Sequence, residues 1–163
     1  LIYALNLKDG IRSRLLKAFV NHLKIDPQLS SAVKTWDDYS ARAEDFRVIP
    51  VESTPAIRFS VSCPASSPAS FNSYTGNFSI DMEVIVPGTN QYDMINLSEA
   101  IETAVHPFFE GDKAMLAALK GDQTCIYATH MLTGSAINHQ KYSNPPCMVG
   151  TSSVSVILNI RRP

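Results

Sequence analysis

The sequence predicts an α+β fold: a mostly antiparallel sheet of about four strands, with two main helices packed on one face. Three observations predict it. Two stretches carry apolar residues at three- and four-residue spacing, four others alternate or nearly alternate apolar with polar residues, and the two kinds follow the order helix, strand, strand, helix, strand, strand. The 163 residues leave room for one domain, 1–163, large enough to bury its own core.

The first helix begins near Ile11. Ile11, Leu15, Leu16, Phe19, Val20 and Leu23 form one apolar stripe with basic residues opposite. Asp9 is the expected N-cap and Pro27 the expected stop. Residues 34–54, with Trp36, Asp37, Asp38, Glu44 and Asp45, read as an irregular charged connection. Ala56 to Val61 is the first strand. In the second, Phe78, Ile80, Met82, Val84 and Val86 alternate with Ser79, Asp81, Glu83 and Ile85. The Ser, Pro and Ala residues of 62–76 far exceed the roughly two to five that a hairpin turn needs. A long loop is expected there, or an arm ordered by a partner.

Pro87 and Gly88 end the second strand. The second main helix runs from about Tyr92 to Phe108 on the stripe Met94, Leu97, Ile101, Ala104, Val105 and Phe108. A short helical piece is expected at Asp112 to Lys120, a third strand at Thr124 to Leu132 and a fourth at Ser153 to Ile160. Residues 133–147 form the second expected loop, so long loops interrupt both hairpins.

Lys plus Arg is 14 and Asp plus Glu is 15, so no overall basic surplus awaits nucleic acid. No apolar run is long enough to span a membrane. The charge is nevertheless segregated. Lys8, Arg12, Arg14, Lys17 and Lys24 face Asp9 alone through residue 24, whereas Asp81 to Asp122 holds eight acids against Lys113 and Lys120. Such blocks either meet between subunits or pair within the monomer. Cys63, Cys125 and Cys147 are too few and too scattered for a disulfide framework and are expected as reduced thiols of a cytosol. The sequence opens at Leu1 without the basic and apolar regions of a signal peptide, and is expected to start inside a longer product.

Little points to catalysis. The seven glycines stand singly, so no phosphate-binding loop is present, and no Ser or Cys has a His at an informative spacing. Cys125, His130, His139 and Cys147 fit no zinc spacing, and His106 before Pro107 suits a capping or solvated role. Asp81 and Glu83 share a strand face as a Mg²⁺-binding nuclease pair would, but position 85 is Ile where a Lys is wanted. The two acids are expected as solvent-facing alternates of a half-buried strand. The expectation is therefore no enzyme, no catalytic residues, no cofactor and no metal.

Pro55-Ala56-Ile57-Arg58-Phe59-Ser60-Val61, then Gly76 through Gly88, then a helix of the Asn96-Leu97-Ser98-Glu99-Ala100-Ile101-Glu102-Thr103-Ala104-Val105 kind, then the closing strand Ser153 to Ile160, resemble the tail terminator proteins of long-tailed bacteriophages. The resemblance covers most of residues 11–160 and lies in element order, length and loop placement rather than in a diagnostic motif. It implies a virion structural protein assembled in the host cytoplasm as a homohexameric ring. That ring would cap the tail tube, stop its polymerisation and join it to the head–tail connector or neck protein. The partners implied are the chain itself, the tail tube protein and the connector, with DNA passing through without specific binding.

Phe71, Asn72 and Tyr74, in the small-residue arm, are the candidate subunit-interface residues, and Asp81 and Glu83 the candidate lumen face. The arm and the connection at 34–54 are longer than in the family's simplest members. That keeps another neck or head-completion role open. A small enzyme or ligand-binding α+β domain is the alternative from a different class.

Overall fold

The computed structural model describes residues 7–38, 49–110, 124–140 and 146–161. Helix α1, Ile11–Lys24, buries Ile11, Leu15, Phe19, Val20 and Leu23. Its N-cap is Gly10, not Asp9, and no side chain caps it. The chain enters the helix one residue after Asp9, whose carboxylate pairs with Lys17 instead. Pro27 does not merely stop α1: it opens a second short helix, α2, Pro27–Ala32. Asp26 caps that turn by accepting from the Leu29 N–H at 3.1 Å, and a first-turn Pro gives up an N–H that had no partner anyway.

The connection expected as irregular contains strand β1, Thr35–Asp37, and a 3-10 turn at Val51–Ser53. Then come β2, Ala56–Ser70, β3, Ser73–Pro87, helix α3, Gln91–Glu110, β4, Thr124–Gln140, and β5, Cys147–Arg161. The expected α+β class holds, with five strands in place of four. Their order is β1-β2-β3-β5-β4, with β1 parallel to β2 and every other neighbour antiparallel. Glu44, Asp45 and the helical piece expected at Asp112–Lys120 lie outside the described residues.

The loops expected inside the hairpins are largely strand. β2 and β3 stay paired through Ala65↔Asn77 and Pro68↔Tyr74 to Ser70↔Ser73, so the turn is only Phe71-Asn72. Ladder bonds hold this stretch, and Ala65 to Ser70 are all exposed. Without a buried side it has no apolar alternation to show. The second hairpin likewise pairs as far as Gln140↔Cys147.

One core cluster joins the buried faces of α1 and α3 to Ile57 and Phe59 of β2, to Phe78, Ile80, Met82, Val84 and Val86 of β3, and to Val154, Val156, Leu158 and Ile160 of β5. Phe19 lies edge-on to Phe108 with centroids 5.5 Å apart, and Trp36 of β1 stacks on Phe59 at 6.1 Å. α1 packs against β2, toward one edge of the sheet, and α3 against β3 and β4, toward the other edge. The His22 ring meets the Ala104 carbonyl at 2.9 Å where the two helices touch.

Candidate functional site

Successive strand residues point to opposite faces, so the residues between the core alternates line a second face of different character. Ser60 of β2, Asn77, Ser79, Asp81 and Glu83 of β3, and Thr151, Ser153 and Ser155 of β5 stand there, exposed or half-buried. Asp81 is the hub. Its Oδ1 accepts from Ser153 Oγ at 2.6 Å and Ser79 Oγ at 3.1 Å, while Ser155 Oγ donates to Asn77 Oδ1 at 3.0 Å. A hollow of about 320 Å³ is lined by Arg58, Ser60, Asp81, Glu83, Thr151 and Ser153 among others.

Sequence reasoning missed the charges that organise this face. Arg58 sits directly across the ladder from Glu83 and beside Asp37 of β1. Its Nε lies 3.3 Å from Asp37 Oδ2 and its Nη1 3.5 Å from Glu83 Oε1. The Arg58 and Asp37 side chains are only 9% and 5% exposed, whereas Glu83 keeps 34%. Nothing local in the sequence points to a basic neighbour for Glu83, because its partner in register cannot be located while residues 62–76 read as a loop. Asp81 faces solvent as expected; Glu83 is half-buried against the guanidinium.

At the base of the same face a second apolar cluster, Ile49, Ala56, Ile85, Cys147 and Val149, closes the polar stretch. Burial there pushes the Cys147 thiol above its ordinary value. Arg161 lies at the opposite end, paired in register with Ser73 beside the hairpin turn.

No protein-family model matches the chain, and no curated protein matches its sequence. The geometry must carry the functional reading.

The three arm residues part company. Phe71, at the turn, is fully exposed, and Asn72 beside it lies within hydrogen-bond reach of Ser70. Tyr74, two residues on, is half-buried against the main core. The four residues weighed as zinc ligands are not gathered: Cys125 aligns with Ile160 of β5, at the far end from Cys147. Thirteen residues of strand separate those positions, roughly 40 Å at about 3.3 Å per residue. The Ser hydroxyls of the polar face are oriented on Asp81 and Asn77, neither of which is a base paired with a nucleophile in the manner of a catalytic triad. What the face offers is a hydrated surface of hydroxyls and carboxylates.

Proposed function

We propose that the chain is a virion structural protein, a ring-forming tail terminator that caps a tail tube and meets the head connector. In this reading the two main helices close one face of the sheet and the polar face lines the ring's channel. One observation carries it. The polar face spreads hydroxyls and carboxylates along strands of fifteen residues, and Arg58, near its base, is buried between two acids rather than offered to solvent. DNA passing such a wall meets hydrogen-bonding groups that water also satisfies and carboxylates that repel phosphate, so it slides without being held.

The residue placement supports the same assignment, since Asp81 at the centre of the face is exposed and Phe71 projects from the hairpin turn. The test is the mass of the purified chain by light scattering, followed by electron microscopy with tail-tube protein. A six-subunit ring that ends growing tubes at a fixed length is expected. A chain that stays monomeric at every concentration and leaves tube length unchanged would sink the assignment. Asp81→Lys should keep the ring and make it retain DNA at low salt, with retention lost as salt rises.

A further inference from the structure

Among the described residues the sheet has two open flanks, and they differ in charge. Among the described residues β1 covers β2 only at Ala56 to Arg58, so the outer edge of β2 is open from Phe59 onward. On the opposite side β4 is the last strand, with no described neighbour beyond it over Thr124–Gln140. Edges are ordinarily guarded by charge or proline. The β2 edge carries Pro64 and Pro68 with a register shift between Ser62 and Ala65; β4 has register shifts of its own, at Tyr127/Thr129 and Thr133/Ala136, but contains neither a proline nor an Asp, Glu, Lys or Arg. Met131, on β4, is 67% exposed.

The helices above the two flanks carry opposite signs. α1 and α3 touch at His22 and Ala104. At about 100° per residue, Lys17 and Lys24 lie roughly 140–160° around α1 from His22, and Glu99 and Glu102 the same around α3 from Ala104. Each pair therefore stands on the flank turned away from the other helix. Lys17, Lys24 and Glu99 are exposed and Glu102 half-exposed. The basic line belongs to the β2 side and the acidic line to the β4 side. Lys17 also holds Asp9, but a surface pair this exposed contributes little and can be exchanged.

We infer that copies of this chain join head to tail, with the β4–α3 flank of one against the β2–α1 flank of the next. β4 runs opposite to β2, so copies side by side in one orientation meet as an antiparallel pair, the pattern of the rest of the β2-to-β4 sheet. The pairing falls on the Phe59–Ser62 stretch, ahead of Pro64. Charge excludes the symmetric alternative, because two β4 edges face to face would set two acidic helices together. The inference deepens the ring reading by naming the joint, and it rests on that reading for its setting only.

Native mass spectrometry and light scattering test it on four proteins: wild type, K17E/K24E, E99K/E102K, and the variant with all four changes. Circular dichroism checks that each stays folded. Each two-site reversal should raise the half-assembly concentration about tenfold or more, and the four-site exchange should restore it. Equal mixing of the two reversed proteins should restore assembly as well, because each then supplies the charge the other lacks. Oligomers indifferent to all three variants would overturn the joint while leaving the ring reading standing. So would a four-site variant as weak as the two-site ones. A wild type that never assembles would overturn both. Met131→Lys, which places a charge on the exposed polar side of the edge strand, in register with Ser155 and beside the joint, should weaken assembly without lowering the melting temperature; unchanged assembly would count against β4 as the joint.

Discussion

Ile80 and Asp81 are adjacent on β3, yet they serve opposite ends. Ile80 is wholly buried in a cluster drawn from both main helices and three strands, where density leaves no slack. Asp81 faces outward, holds two serine hydroxyls and is tied to nothing larger. The core face spends its residues on stability and allows little variation. The polar face is set largely by side chains that bond one another, so its chemistry can be altered at small cost to the fold. The exception lies between Arg58 and Asp37, where the polar face is buried as deeply as the core.

The comparison can be broken from the core side first. Phe78→Ala empties a site that is 2% exposed and should cost about 3–5 kcal/mol in denaturant unfolding. A cost near that of a surface change would mean the two faces are not distinct.

Arg58→Met is the next largest change, because it takes the guanidinium away from the buried Asp37 carboxylate; about 3 kcal/mol is expected. Adding Asp37→Leu should return most of that loss, and a double variant no better than the single would show that the pair itself is not the cause. Gly76→Ala sharpens the boundary between the faces. A Cβ there would stand 2.5 Å from the Phe78 ring, so the ring must turn, at about 1–3 kcal/mol. Asp81→Asn, by contrast, should cost under about 1 kcal/mol.

The smallest effect concerns the thiols. Burial raises the Cys147 pKa, so the folded state resists forming its thiolate. Stability from this group is complete below the ordinary thiol value of 9.0 and is lost as pH rises beyond it, since the unfolded chain ionises first. Alkylation at pH 8 should accordingly be slower at Cys147 than at the half-exposed Cys63. Equal rates would show that the base of the polar face opens readily.

What the sequence discloses follows the same division. The stripes of α1 and α3 and the alternation from Phe78 to Val86 are legible because burial on one side writes a period into the chain. Residues 65–70 are strand without such a period, since both their faces are exposed. β1 is three residues long and owes its place to the ladder with Ala56 to Arg58 and to Trp36 stacking on Phe59, none of which is local in sequence. Of the candidate site, Asp81 could be placed from pattern alone, whereas Phe71 falls in a two-residue turn that the reading of 62–76 as a loop does not show. The Arg58–Asp37–Glu83 group required the register of three strands, and a hairpin misread as a loop hides that register.

The position of β5 in the sheet bears on how the chain is made. It is later in sequence than every strand it joins, yet it lies between β3 and β4 and bonds to both along nearly its whole length. A growing polypeptide that has produced β4 still has two unpaired ladders of fifteen or more residues, β3 on one side and β4 on the other. Those ladders are templates for any extended segment nearby. β5 folds back on its hairpin partner β4, but its ladder with β3 joins residues 60 or more apart, a slow step in chain-order terms. Solubility during synthesis therefore depends on how long the gap stays open, and a product ending at residue 146 should precipitate even though the sequence of both main helices and the first hairpin is intact.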